Sequence, residues 1–142
     1  GKYTGLNDWI VEFSDGRANG LTFQFILGVI TAPLMWLIGV PYEDMMAVGS
    51  LLGQKTILNE FVAYMQMQQW REAGIFVYEK SVIMSTYLLC GFANISSIGI
   101  LLGGLGVLAP EKKGLISRMG VKSMIAGMMV AILSATIIGM IL

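Results

Sequence analysis

Long uncharged runs alternate with short polar clusters along this chain of 142 residues. Three runs carry no charge at all: residues 18–42, 81–110 and 123–142, which are 25, 30 and 20 residues long. A transmembrane helix needs about 20 consecutive apolar residues, so each run is long enough to cross a bilayer. The pattern predicts an all-α integral membrane protein.

The first two predicted segments are a polar loop over residues 1–19 and an apolar helix over residues 20–41. The loop has scattered Gly, Asn and Asp residues, with a short amphipathic turn beginning at Trp9. Hydropathy alone predicts that the helix crosses the membrane, with a kink at Pro33 and an interfacial anchor at Trp36.

A re-entrant helical hairpin is predicted over residues 42–70. Its first arm is expected to begin at Glu43 and Asp44, because acidic residues suit the first turn of a helix. Two apolar arms, each too short to cross, flank a polar, glycine-containing stretch at residues 53–56, which is the predicted tip. Non-helical backbone at membrane depth is tolerated only against protein or a water-filled cavity. The tip is therefore a candidate binding surface.

Residues 78–110 are longer than one straight crossing requires, and their middle, residues 91–97, concentrates small and polar side chains. This pattern is typical of a discontinuous transmembrane helix, whose half-helix ends bind solutes and ions near the midplane. The alternative is one tilted continuous helix, with Asn94 and the serines bonded to neighbouring helices. The discontinuous helix is the favoured interpretation.

The last two predicted segments are a basic loop over residues 111–117 and a transmembrane helix over residues 118–142. Four basic residues face one acidic residue over 111–122, so the positive-inside rule places this stretch in the cytoplasm and the C-terminus outside. Small residues recur at every fourth position from Ser123 to Gly139. That stripe predicts close packing against another helix.

Composition narrows the function classes. The chain is 56% hydrophobic and 13% charged, and its nine basic residues balance nine acidic ones, which gives no basic surface for nucleic acid. It has no histidine and one cysteine, Cys90, so disulfide frameworks, His/Cys metal sites and histidine acid–base catalysis are excluded within the chain. No cofactor or metal is expected, and an enzyme is the least favoured class. Because Gly1 opens the sequence, we expect a piece of a longer polypeptide.

Lys55 and Glu60 interrupt a stretch that otherwise suits lipid. An ionisable side chain in a membrane core costs about 2.5–3.5 kcal/mol on insertion scales, so it normally faces a cavity, a partner or a substrate. These two residues therefore mark the place to look for function.

Three motifs around this place resemble the concentrative nucleoside transporter family. Residues 53–64 read Gly-Gln-Lys-Thr-Ile-Leu-Asn-Glu-Phe-Val-Ala-Tyr, which is similar to the family signature G-x-K-x-x-x-N-E-F-V-A. Residues 90–99 read Cys-Gly-Phe-Ala-Asn-Ile-Ser-Ser-Ile-Gly, and residues 103–110 read Gly-Gly-Leu-Gly-Val-Leu-Ala-Pro before a basic cluster. The similarity covers residues 21–142 and corresponds to the C-terminal part of the family.

The resemblance implies an inverted-repeat transporter that couples nucleoside uptake across the cytoplasmic (inner) membrane to Na⁺ or H⁺. It implies a homotrimer in membrane lipid, with a scaffold part and a moving transport part in each protomer. Residues 42–70 would be the second re-entrant hairpin, residues 78–110 the broken seventh helix and residues 118–142 the eighth. Residues 20–41 would lie along the external surface, against the hydropathy. The coupling cation and the nucleobase would bind mainly in the rest of the transporter chain.

The site residues also follow from the resemblance. Glu60, Asn94 and Ser97 match the family's ribose contacts, and Phe92 would form an apolar wall beside the solute. Asn94 and Ser97 can each donate and accept hydrogen bonds, which suits a vicinal diol. The structural alternatives are that Asn94 and Ser97 only satisfy unwound backbone and that Phe92 belongs to the core. Lys55 could neutralise Glu60, cap the hairpin tip or reach solvent, and it is given no substrate role.

Two other classes compete with a nucleoside transporter. Re-entrant segments also line pores, so a channel or gate-type membrane module without nucleoside specificity is the main alternative. A membrane interaction module that associates through the small-residue stripe is the other. Competition by ribonucleosides separates them, because a carrier saturates with its solute and a packing module binds none.

Overall fold

The computed structural model describes residues 23–142, and every regular element in this part of the chain is helical. The predicted loop over residues 1–19, with its turn at Trp9, and the start of the helix predicted over residues 20–41 lie outside the described residues. Six α-helices and one short 3₁₀ turn follow in order: α1 Phe23–Leu37, α2 Met45–Ile57, α3 Glu60–Glu72, α4 Glu79–Leu89, α5 Ile95–Leu108, the 3₁₀ turn Pro110–Lys112 and α6 Lys113–Ile141.

Helices α2 and α3 form the re-entrant hairpin, joined by only two residues, Leu58 and Asn59. The Asn59 side chain accepts a hydrogen bond from the backbone N–H of Val62 at 2.9 Å, which caps the start of α3. The tip was predicted at residues 53–56, and this was wrong, because these residues lie inside α2. Gly53 serves packing rather than a turn, since a Cβ atom there would collide with Leu27 of α1.

The start of the hairpin also differs from the prediction. Helix α2 begins at Met45, so Glu43 and Asp44 precede it rather than forming its first turn. The buried Asp44 carboxylate instead accepts from the backbone N–H groups of Val77 at 2.9 Å and Tyr78 at 3.0 Å. Asp44 therefore ties the base of the hairpin to the beginning of α4.

The discontinuous helix is present as α4 and α5, separated by Cys90–Asn94. Gly91 lies in the break with φ of +106°, a left-handed backbone conformation that glycine adopts at least cost. The preference for a broken over a continuous helix is thus confirmed.

The last helix begins earlier than expected. A loop was predicted over residues 111–117, and this was wrong for residues 113–117, which belong to α6. The charges there end the apolar pattern but not the helix, because lysine, leucine and arginine are all good helix formers. Among the described residues, 110–141 is the only helical stretch both long and apolar enough to cross a membrane.

The small-residue stripe of α6 packs against α4 and against the break that follows it. Ala131, Ala135 and Gly139 are buried, and a Cβ atom at Gly139 would lie 2.7 Å from the end of the Met84 side chain of α4. The predicted close packing is confirmed for Ala131, Ala135 and Gly139, whereas Ser123, at the start of the stripe, is exposed. One core then joins α1, α2, α4 and α6; its buried members are Met35, Val40, Val48, Leu52, Met84, Leu88 and Ala135.

Helix α1 lies against α2, where Gly28 approaches the Met46 backbone closely. Its described part is 15 residues, about 22 Å, which is shorter than the hydrocarbon thickness of about 30 Å. The helix continues through Pro33 to Leu37. The position along the external surface that the resemblance implies for residues 20–41 stays a prediction.

Candidate functional site

The break in the discontinuous helix is organised by Asn94. This residue has an extended backbone, and its side chain caps α5 by accepting from the Ser97 backbone N–H at 2.7 Å. The same Oδ1 atom accepts from the Ser97 hydroxyl at 2.9 Å. Because a backbone N–H can only donate, it fixes the orientation of the Asn94 amide.

Glu60 links the hairpin to the break in the discontinuous helix by a hydrogen bond with Asn94. It is the first residue of α3, and its Oε2 atom accepts from Nδ2 of Asn94 at 2.6 Å. A short bond of this kind between an amide and a carboxylate is a charge-assisted hydrogen bond. Glu60, Asn94 and Ser97 therefore form one connected group, although Glu60 and Asn94 lie 34 positions apart in sequence.

A second hydrogen bond joins the same two tips. The Ser96 hydroxyl donates to the Leu58 carbonyl at 2.6 Å. Sequence reasoning missed this role of Ser96, although it lies in the small, polar stretch 91–97 that indicated the break. The carbonyl of a two-residue hairpin tip has no helical partner, and a nearby hydroxyl can supply one.

The electrostatics of the site come from the two half-helices α3 and α5. Both begin beside it, at Glu60 and Ile95, so both direct the positive ends of their dipoles there. The Glu60 carboxylate is stabilised by this field.

Lys55 contacts neither Glu60 nor solvent. Its side chain is fully buried, and Nζ donates to the carbonyl of Leu88 at 2.9 Å and to that of Cys90 at 3.4 Å. Of the three possibilities offered by the sequence, burial excludes the one in which Lys55 reaches solvent. Lys55 also interacts electrostatically with Glu60, without a direct ion pair among the described residues. Lys55 instead caps the C-terminal end of α4.

An open cavity of about 400 Å³ lies beside the hydrogen-bonded group. Asn94 and Ser97 line it, together with Phe92, whose side chain is 79% exposed. Phe92 is not a member of the core that the described residues form, and its place beside the solute stays a prediction. The opposite wall comes from α6, with Ile116, Met119, Gly120, Ser123, Met124 and Gly127.

The polar groups of the site are suited to hydrogen bonding. They contain no group of three or more His, Cys, Asp and Glu side chains that could hold a metal ion. Within the connected group, the Ser97 hydrogen is used toward Asn94, so the Ser97 oxygen is left to accept. Asn94 and Ser97 line the cavity, whereas Glu60 does not line it and joins the group through its bond to Asn94. The free oxygens of Glu60 and Ser97 are acceptors that can bind a ligand presenting hydroxyl groups.

A hairpin that faces a broken helix, with polar groups at both tips, is an arrangement found in secondary membrane transporters. A family model described as the Na⁺-dependent nucleoside transporter C-terminus matches residues 3–139. The chain belongs to this family. The resemblance inferred from the three motifs is thereby confirmed, and the class is a transporter rather than an enzyme.

Individual relatives agree with the family assignment. The chain is 46% identical over 121 residues to the uncharacterized transporter YutK of Bacillus subtilis, covering 85% of this chain and 29% of that protein. It is 37% identical over 143 residues to sodium/nucleoside cotransporter 1 of Rattus norvegicus, covering 92% and 22%. The chain thus spans less than a third of the length of these relatives.

The fold agrees as well. A solved structure of CNTnw in an inward-facing, substrate-bound state superposes with a TM-score of 0.79 at 38% sequence identity. The match covers 97% of this chain and 33% of that one. The all-α fold of a transporter segment with a hairpin and a broken helix is therefore established.

Proposed function

We propose that this chain supplies the ribose-binding part of the transport domain of a cation-coupled nucleoside transporter. The observation that carries the proposal is the connected group of Glu60, Asn94 and Ser97, held between two half-helix ends beside a cavity. The names of relatives such as sodium/nucleoside cotransporter 1 supply the solute class. The chain would act within a longer polypeptide in the cytoplasmic membrane, assembled as a homotrimer.

Ribose recognition follows from the polarity of the hydrogen bonds. Glu60 uses one carboxylate oxygen toward Asn94, and its other oxygen can accept from a sugar hydroxyl. The Ser97 oxygen can accept from the second hydroxyl, since its own hydrogen is used toward Asn94. Two acceptors on one rigid group suit the two hydroxyls of a vicinal diol. Phe92 would cover the apolar face of the bound solute.

The coupling cation, Na⁺ or H⁺, would bind mainly in the part of the transporter that lies outside this chain. Binding of the cation and the nucleoside together would drive closure of the site and movement of the transport domain. No covalent step is required. The stretch 111–122 would face the cytoplasm, since the positive-inside rule favours that side for its basic cluster.

The testing experiment is uptake of labelled uridine by the intact parent transporter, comparing wild type with Glu60→Gln at matched membrane abundance. Saturable uptake that collapses in the variant would support both the transport function and the role of Glu60. Undiminished uptake by Glu60→Gln would refute the ribose site while keeping the transporter. A well-inserted wild type that takes up no uridine would favour a gate-type module or another solute.

A further inference from the structure

A buried lysine joins the hairpin to the carbonyl end of the first half-helix. Lys55 is 0% exposed, and its acceptors are the carbonyls of Leu88 and Cys90. Leu88 lies in the last turn of α4 and Cys90 is its C-cap, so both carbonyls stand at the negative end of the helix dipole. An ammonium group withdrawn from water is stable only where such acceptors surround it.

In transporters with broken helices, unwound carbonyls and half-helix C-termini are the groups that coordinate a coupling cation. We propose that the Lys55 ammonium is a tethered cation that permanently occupies a position of this kind and sets the geometry of the nucleoside-binding group. Lys55 is a positioning residue, which acts through Asn94 and Glu60 rather than by contact with the solute. The proposal rests on the nucleoside-binding function proposed above.

Lys55 lies close in sequence to Glu60, and its acceptor Cys90 lies close in sequence to Asn94. Lys55 precedes Glu60 by five positions on the hairpin, and Cys90 precedes Asn94 by four positions on the broken helix. The Lys55–Leu88 and Glu60–Asn94 hydrogen bonds therefore join the same two segments, across 33 and 34 positions. These two hydrogen bonds and the chain segments between them form a closed loop of contacts, which includes the hairpin tip and the break. A change in the first bond displaces the partners of the second.

The opposite end of α4 has a matching contact. There the Asp44 carboxylate accepts from the N–H groups of Val77 and Tyr78, at the positive end of the same helix. The hairpin thus supplies a negative charge to the N-terminus of α4 and a positive charge to its C-terminus. Because both contacts span the same offset, 33 positions for Asp44–Val77 and for Lys55–Leu88, the two charges fix α4 along the length of α2.

A tethered cation makes a specific prediction about mobile ions. Because Lys55 cannot dissociate, this half of the site should need no ion of its own, and the cation dependence of transport should arise elsewhere. When the ammonium is removed, the carbonyls of Leu88 and Cys90 lose their partner and become a vacant site for a small monovalent cation. Nucleoside affinity should then depend on a second, weaker cation interaction.

The experiment measures uridine binding to the purified full-length transporter for wild type, Lys55→Met and Tyr64→Phe over a range of Na⁺ concentrations. Tyr64→Phe is the matched control, because the Tyr64 hydroxyl ties α3 to the Thr86 carbonyl of α4 at 2.8 Å without a charge. We expect Lys55→Met to raise the uridine Kd at least tenfold at moderate Na⁺, with recovery at high Na⁺. We expect Tyr64→Phe to stay within about threefold of wild type, with the Na⁺ dependence of wild type.

Several outcomes would overturn the inference. A Lys55→Met protein that binds uridine as tightly as wild type, or whose loss is unchanged by Na⁺, would refute a cation role. If Lys55→Met does not fold, Lys55→Arg should still fold and bind, since it keeps the charge; loss of both variants alike would assign the position to packing. Failure of wild type itself to bind uridine would instead refute the proposed function.

Discussion

Replacing Glu60 by glutamine changes the charge of the site at nearly constant shape. In the structure, Oε2 of Glu60 accepts from Asn94 at 2.6 Å, which leaves Oε1 for a ligand. In the variant, the glutamine carbonyl must take the place of Oε2, because Nδ2 of Asn94 can only donate. The glutamine NH₂ group would then face the sugar where an acceptor had been.

The size of the effect follows from this exchange. A hydrogen bond to a charged group contributes about 1.5–3 kcal/mol and a neutral one about 1 kcal/mol. Losing the contact between the free Glu60 oxygen and one sugar hydroxyl should therefore cost about 1.5–3 kcal/mol, or roughly 10- to 160-fold in uridine affinity. Loss of the carboxylate from the first turn of α3 costs only about 0.3–1 kcal/mol of stability. Affinity should therefore fall far more than stability.

The assay is equilibrium binding of uridine and of 2′,3′-dideoxyuridine to the purified parent transporter. Glu60→Gln should weaken the binding of uridine strongly and that of 2′,3′-dideoxyuridine only slightly. The dideoxy compound lacks the sugar hydroxyls that donate to the site. Glu72→Gln is the matched control, since Glu72 lies at the far end of α3 and bonds only locally to Gln68 at 2.8 Å. An equal loss for both nucleosides would refute the ribose role of Glu60.

Other predictions concern the rest of the site and its frame. Asn94→Ala and Ser97→Ala should each weaken uridine binding by about 1–3 kcal/mol in the same titration, and wild-type affinity in both would contradict the network. Asn94→Ala should also lower the melting temperature more than Ser97→Ala, because it removes an N-cap worth about 1 kcal/mol. Asp44→Asn should reduce thermal stability by about 1–3 kcal/mol while leaving the uridine Kd unchanged; a changed Kd would show that the hairpin base reaches the site. Gly139→Leu should lower the folded yield in detergent, because its Cβ would meet a methionine side chain at 2.7 Å, whereas Gly114→Leu, with no atom within 4 Å, should not.

The sequence predicted the type of each element better than its ends. Alternation of apolar arms and polar stretches was enough to predict the hairpin and the break, because both patterns are local. The tip was misplaced because Gly53 looks like a turn residue in sequence, whereas the structure uses it for close approach to Leu27. The early start of α6 was missed because charge marks the end of the membrane-suited stretch, not the end of a helix.

The residues of the candidate site could be predicted from the sequence, but the hydrogen bonds that join the segments around it could not. The motif match identified Glu60, Asn94 and Ser97, and Asn94 is recognisable as a cap before an apolar run. No local pattern, however, gives the partner of Lys55, because its acceptors are backbone carbonyls 33 positions or more away. Backbone carbonyls are present in every residue and carry no sequence signal.

The packing of α6 has a mechanical consequence for the break at Cys90–Asn94. A discontinuous helix lacks the regular helical hydrogen bonds at its break. Without support from other helices, its two halves would bend relative to each other at that point. Helix α6 is 29 residues and about 43 Å long, and its glycines touch Met84 on one side of the break and Ala93 within it. Because Gly120 of α6 also contacts Ile98 beyond the break, α6 braces both halves and restrains bending between them. A force applied to either half would be transmitted through the binding group instead of being absorbed there.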